Sequence, residues 1–389
     1  MRLNSIYKLN AMLRQGAKKL PALGALCLVM GFSSCDSMSV YDDDPDCYLG
    51  IALRFVYDYH MEPNANAFMG NVDCVNVLVF DDKGNYVTQF TETSNALQSE
   101  SYRMDIPLEA GSYHLVVYGG TACEHSAFEL TSDWTATDTR SNTTDDIRVT
   151  LPLNEQGVSK KQLHNIEERT GGLFYGTLDF TLTEEDINSN YREETVYLIK
   201  NTNNIQIILQ ELSSPYHLDY ADYDFKIIDD NFVLDGQNKA ISIATEDFQP
   251  YYTPYAAENR VMGSVSEEEL KYSKDGDPTI VNEDRPVQVA CAEFSTSRLL
   301  IEHLPTARLV VTCNKEKDSQ GNDREIINIP LITYLSAIKG FGDSWIKGDQ
   351  EFLDRQSRWT MMFFLTHNVW VSTRISVNWW TVRINDIEL

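Results

Sequence analysis

Val75-Asn76-Val77-Leu78-Val79-Phe80 runs into Asp81-Asp82-Lys83-Gly84-Asn85 and emerges as Tyr86-Val87-Thr88. A run of β-forming side chains, a cluster of turn residues and a second β-forming run read as a hairpin, with the turn chemistry where the chain must reverse. Outward from it the same punctuation recurs. Ile51, Leu53, Phe55 and Tyr57 alternate with Ala52, Arg54, Val56 and Asp58. Ser112 to Tyr118 is a further strand, opened by a Pro107…Gly111 turn and closed by Gly119-Gly120, and Asp146 to Leu153 is another. Short strands at this spacing, with no long helical pattern between them, predict an all-β, antiparallel sandwich.

The second half repeats the pattern. Alternation resumes at residues 177–183, 195–200, 205–210, 225–234, 308–313, 326–331, 359–365 and 371–384. Residues 154–171 are polar and end in Gly171-Gly172, so a domain boundary is expected there, giving tandem sandwiches over 47–158 and 172–389. Residues 235–290, with Pro250, Pro254 and Pro278, read as a long polar excursion from the second sandwich. Helices are expected to be few and short: 160–169, 266–271 and 350–354.

The N-terminus carries an address. Arg2, Lys8, Arg14, Lys18 and Lys19 form a basic start with no acidic residue, and Leu20 to Phe32 form an apolar stretch too short for a settled membrane span. Phe32-Ser33-Ser34-Cys35 closes it, two small residues before a cysteine, as in a bacterial lipoprotein box. Residues 1–34 are therefore expected to be removed as a signal peptide, with lipid on Cys35. An ordinary signal peptide or a buried helix ending in cysteine is the plainer alternative. Residues 35–46, with Asp42-Asp43-Asp44, are too polar to pack and read as an acidic tether. Such an acidic run resembles a surface-export signal of Bacteroidetes lipoproteins, and a simple solvated linker fits it equally well.

Charge narrows the partners. The removed segment takes 5 of the 32 basic residues and none of the 58 acidic ones, leaving 27 against 58 and a net charge of −31. Phosphate backbones repel such a surface, so nucleic acid is not an expected partner. With Cys35 assigned to lipid, five cysteines remain in an exported, disulfide-permissive chain. The expected pairs are Cys47–Cys123 and Cys291–Cys313, with Cys74 a buried thiol. A Cys47–Cys74 bridge is disfavoured if residues 48–59 and 74–80 pair as neighbouring antiparallel strands, because the two thiols then sit at opposite ends.

The sequence offers little chemistry. It has no nucleophile elbow, no His-Glu-x-x-His pair, no phosphate loop and no dinucleotide glycine fingerprint. Cys123-Glu124-His125 lacks a third orienting group for nucleophilic catalysis. Asp275-Gly276-Asp277 and Asp318…Gly321-Asn322-Asp323 read as turns rather than calcium loops. Trp370, Trp379 and Trp380, with Phe363 and Phe364, read chiefly as core, although Trp379 and Trp380 must face opposite sides of a strand, and one of them is a candidate sugar contact. No enzyme activity, cofactor or metal is expected.

Several blocks together carry a family resemblance. Asp46-Cys47-Tyr48-Leu49-Gly50, Leu53-Arg54-Phe55-Val56-Tyr57-Asp58-Tyr59, Phe68 and Val75–Asp81 resemble the opening of the Bacteroidetes fimbrial anchor lipoproteins, the FimB-type and minor-fimbria anchors. Pro107…Gly111-Ser112-Tyr113-His114-Leu115-Val116 is similar to that family's next signature. Gln350-Glu351-Phe352-Leu353-Asp354-Arg355, Phe363-Phe364-Leu365, Trp370 and Ile375–Arg383 resemble its closing block. The resemblance implies two transthyretin-like β-sandwich domains held by outer-membrane lipid at the base of a fimbrium. It also implies that the protein holds the shaft and limits its length, with shaft pilin subunits as partners through strand exchange at a sheet edge. A glycan-binding surface lipoprotein and a tip or accessory subunit of the same plan are the alternatives. Shaft pilins of this kind are matured by cleavage after arginine, yet no Arg or Lys lies between Cys35 and Arg54, inside the first strand. The lipidated N-terminus is therefore expected to be retained.

Overall fold

A computed structural model describes residues 50–61, 66–121, 123, 126–131, 143–153, 172–189, 192–213, 218–246, 248–272, 278–339, 345–377 and 380–384. The chain opens with β1 (Ile51–Val56), β2 (Val75–Asp81), β3 (Tyr86–Glu92), β4 (Met104–Ile106), β5 (Gly111–Gly119), β6 (Glu129–Thr131) and β7 (Arg148–Thr150). There follow β8 (Phe174–Leu182), α1 (Glu184–Ser189), β9 (Glu193–Tyr197), β10 (Ile199–Lys200) and β11 (Thr202–Glu211). Next come β12 (Tyr223–Ile228), β13 (Val233–Asp235), β14 (Tyr251–Tyr252), β15 (Ala256–Tyr272) and β16 (Pro278–Ser297). The last are β17 (Arg308–Lys317), β18 (Asp323–Pro330), α2 (Leu331–Ser336), α3 (Asp349–Arg355), β19 (Arg358–Thr366), β20 (Val369–Val377) and β21 (Trp380–Ile384).

The strands build two sandwiches in tandem, as the sequence pattern predicts. In the first, a sheet of order β4-β1-β9 lies over one of order β10-β8-β5-β2-β3. Leu53 and Phe55, Val77 and Val79, Leu115 and Val117, and Phe180 fill the space between. Alternate residues Leu78, Phe80, Val116 and Tyr118 point to the other face and join a second core with Ile147, Val149 and Leu234. The small sheet β13-β7-β6 supplies Val149 and Leu234. Because β2 is buried on both faces, its Val77-Leu78-Val79-Phe80 stretch reads as a continuous apolar run rather than an alternating one. Each fully buried Val, Leu or Phe contributes roughly 1.5–3 kcal/mol.

In the second sandwich a sheet of order β15-β16-β11-β19-β20-β21 packs over one of order β14-β12-β17-β18. Ile205, Ile207 and Leu209 of β11, with Met361, Phe363 and Leu365 of β19, meet Phe225, Ile227, Leu309, Val311 and Ile327. Most pairings are antiparallel, but β1–β9 and β11–β19 are parallel. The 81–85 turn forms as expected: Asp81 Oδ1 accepts the Lys83 and Asn85 N–H groups at 2.9 and 2.8 Å, and Gly84 takes φ +78°.

Several expectations need correction. The boundary at 158–172 falls too early, because β8 pairs with β5 and β9 with β1, so residues up to about 200 complete the first sandwich. The 195–200 strand is two, β9 and β10, in different sheets, and 225–234 breaks into β12 and β13. Likewise 371–384 divides into β20 and β21. Residues 266–271 are not helical: they lie in β15, where antiparallel pairing with residues 279–284 of β16 (Glu267↔Glu283, Glu268↔Asn282, Glu269↔Val281) overrides the helix preference of Glu267-Glu268-Glu269. The 235–290 excursion is largely the β15–β16 hairpin. The 350–354 helix is found, as α3. The expected helix 160–169 lies outside the described residues, as do Cys35, Cys47 and the tether.

Candidate functional site: a filled strand slot and a pinned junction

β1 occupies a slot with both sides used. It pairs antiparallel with β4 and parallel with β9, so the β1–β2 pairing that was the condition for disfavouring a Cys47–Cys74 bridge does not form. Ala52 N–H donates to Arg192 O at 2.9 Å, and Leu198 N–H donates to Val56 O at 2.8 Å. Ile51, Leu53 and Phe55 are buried while Arg54 is exposed. Gly50 enters the strand at φ +112°, and a Cβ there would lie 1.8 Å from Ile106 O, so only glycine fits. Cleavage after Arg54 would remove the central strand of this sheet.

The opening and closing sequence blocks meet where the sandwiches join. The guanidinium of Arg355 sits 3.8 Å from the ring centre of Tyr59 and 4.9 Å from that of Trp345, and Arg355 Nε donates to Glu351 Oε1 at 2.9 Å. Beside it, Arg298 Nε and Nη2 donate to the two oxygens of Asp354, each at 2.8 Å, with the side chains 13% and 7% exposed. Gln350 Nε2 donates to Asp354 Oδ1 at 2.8 Å and to Leu299 O at 3.0 Å. Arg298 Nη1 reaches Asn238 O at 2.5 Å. Ser357 hydrogen-bonds Tyr57, whose hydroxyl pKa burial pushes up to about 12. These motif residues are thus structural: they dock α3 and bind the halves together.

A buried ion pair lies close by. His303 Nδ1 and Asp229 Oδ1 are 2.6 Å apart, with the side chains 14% and 1% exposed. The carboxylate raises the His303 pKa, and burial raises that of Asp229 although the pair opposes it. Both rises have the same sign in pH: the folded state holds protons that the unfolded chain releases earlier. Stability is therefore expected to fall as pH increases from the ordinary histidine range upward, and His303→Gln should flatten that slope in urea unfolding at pH 6 and 8.5. A wild-type slope unchanged by the substitution would refute it.

The cysteines pair differently from expectation. Cys123 joins Cys74, with Cα atoms 5.5 Å apart. The β2–β5 register sets Val75 opposite Gly119 and so brings both thiols to one end of the strand pair. Cys291 and Cys313 are buried free thiols on opposite sides of the large sheet: Cys291 packs with Ile208 and Met362, Cys313 in the core between the sheets. Burial raises the Cys291 thiol pKa. In its disulfide Cys123 is no nucleophile.

Other candidates resolve as structure. Trp370 packs on Phe363 at 5.9 Å and donates from Nε1 to Thr373 Oγ1 at 2.9 Å, a core role. Asp318 Oδ1 accepts the N–H groups of Gln320 and Asn322, holding a turn. Trp379 and Asp275-Gly276-Asp277 lie outside the described residues. Among the described residues, no group of three or more His, Cys, Asp or Glu side chains is placed to hold a metal, and no helix is long and apolar enough to cross a membrane. A cleft of about 480 Å³ is lined by Asp81, His114, Thr144 and Asp179, but the Asp81 carboxylate is already spent on its turn.

Tandem sandwiches with a self-filled first strand define an all-β protein. The chain belongs to the family of fimbrillin-A associated anchor proteins Mfa1 and Mfa2, whose model matches residues 43–386. Among solved structures it is similar to a candidate adhesin of Bacteroides thetaiotaomicron, at 36% identity and TM-score 0.67, over 87% of this chain and 99% of that one. A candidate polysaccharide-binding protein of the same organism matches at 26% identity and TM-score 0.64, over 87% and 99% of the two chains. The fimbrial anchor protein Mfa2 of Porphyromonas gingivalis shares the fold at 19% identity and TM-score 0.58, again over 87% and 99%. No curated protein matches the chain.

Proposed function

We propose that this protein is an outer-membrane lipoprotein that anchors fimbriae to the cell surface and ends shaft assembly. Lipid on Cys35 would fasten it to the membrane, and the acidic 35–46 segment would space the fold from the bilayer. Shaft pilin subunits would dock at a sheet edge by strand pairing. The observation that carries this reading is β1, paired on both sides and buried, with no Lys or Arg between Cys35 and Arg54. A subunit that keeps its own first strand in place has no vacant slot there for another strand and suits the end of a polymer. Family membership over 43–386 supports the same role.

The test is Cys35→Ser in the full chain. The expected result is protein moving from the envelope fraction to the medium, taking fimbriae with it. Deletion of the whole protein should give longer or shed fimbriae. Envelope retention of the serine variant with filaments still attached would sink the proposal. A second reading, glycan capture, draws on the polysaccharide-binding relative. It predicts retarded migration in polysaccharide gels that is lost on replacing Trp379 or Trp380.

A further inference from the structure

The β15–β16 hairpin outruns the sheet it grows from. β11 supports β16 only from Ala290 to Ser297, whereas β15 and β16 remain paired with each other out to Tyr272 and Pro278. The nine pairs from Ser264↔Pro286 to Tyr272↔Pro278 form a two-stranded arm, about 30 Å long at roughly 3.4 Å per residue. Among the described residues, neither edge of this arm has a strand partner. An unpaired edge presents N–H and C=O groups to any extended chain, and folded proteins usually guard such edges.

On β15 the guard stops at a definite place. Around Asn259 the 219–222 turn lies over the strand: Tyr220 N–H donates to Asn259 Oδ1 at 2.8 Å, and Asn259 Nδ2 donates to Asp219 Oδ1 at 3.3 Å. Two residues on, Val261 and Met262 are 63% and 48% exposed. Gly263, at φ +93°, then forms a bulge between the Val261↔Gln288 and Ser264↔Pro286 pairs. The two edges of the arm also differ. β16 carries Pro286 and Pro278, which have no N–H to offer, whereas Ser264 to Tyr272 contains no proline.

We propose that the edge of β15 from Val261 to Tyr272 is the docking edge, and that its occupant is an extended segment of a fimbrial subunit. This rests on the anchor reading above. The segment adds a strand alongside β15, with main-chain hydrogen bonds supplying affinity. It carries an apolar side chain to cover Val261 and Met262, and lysine or arginine to complement Glu267-Glu268-Glu269. A second copy of this chain is a poor occupant, because two bodies of net charge −31 repel.

The experiment places a photo-cross-linking amino acid at Met262, and separately at Val87 on the β3 edge and at exposed Tyr197 at the end of β9, in the full lipidated chain of a fimbriated cell. A covalent adduct with a shaft subunit from Met262, and from neither other site, is the expected result. Adducts only from Val87 or Tyr197, or between two copies of this chain, overturn it. As a second reading, the triple variant E267K/E268K/E269K, checked to melt with wild type, should bind purified shaft fimbriae at least tenfold more weakly and lose its salt dependence. Unchanged affinity also overturns the proposal. If Cys35→Ser sheds fimbriae while Met262 gives no adduct, the anchor reading stands and this edge falls. If the wild-type chain retains no fimbrial subunit, the anchor reading fails and takes the edge with it.

Discussion

Replacing Asp354 by alanine is expected to lower the free energy of unfolding by about 3–5 kcal/mol, the usual cost of leaving one member of a buried ion pair uncompensated. Arg298 grips both carboxylate oxygens at 2.8 Å, and neither side chain has appreciable access to water. Removing the carboxylate strands the guanidinium and also takes a hydrogen-bond acceptor from Gln350, which ties α3 to Leu299 O. The double variant Arg298→Met with Asp354→Leu removes both charges, so it should be markedly less destabilised than the single alanine change. Urea unfolding followed by tryptophan fluorescence gives both values. A single variant within ~1 kcal/mol of wild type would contradict the buried bidentate pair.

The Cys74–Cys123 bridge is the second large effect. It closes a loop of 49 residues in the unfolded chain, which removes enough denatured-state entropy to stabilise the fold by about 2–4 kcal/mol. Cys74→Ser with Cys123→Ser should therefore unfold at clearly lower urea concentration. Adding reductant to the wild type should give much the same midpoint. The control is Cys291→Ala, whose thiol is in no bridge. A reductant effect equal in the wild type and the Cys74/Cys123 double variant would place the sensitivity elsewhere.

The junction also shows why two distant sequence blocks, around Tyr57-Asp58-Tyr59 and Gln350–Arg355, belong together. Arg355 stacks on Tyr59, and Asp354 holds Arg298 beside the residues that lead into β19. Their order in the sequence marks the family, but nothing local says that they touch. The same holds for His303 and Asp229, 74 positions apart, each unremarkable in its own stretch.

What the chain spells locally, it decided alone: strand character wherever apolar and β-branched residues recur, the reversals at Asp81–Asn85 and Asp318–Asn322, the short α3, and the acidity that sets its charge. These follow from backbone preference and side-chain alternation over a few residues. Which strands become neighbours was decided only by the tertiary structure. β1 passes over β2 for β4 and β9, residues 174–197 return to the first sandwich, and Cys74 finds Cys123 through the β2–β5 register. The glutamate-rich stretch 266–271 is extended because a partner strand lies beside it. Pairing and burial are contacts across tens or hundreds of residues, and their free energy outweighs the fraction of a kcal/mol per residue by which local propensity speaks.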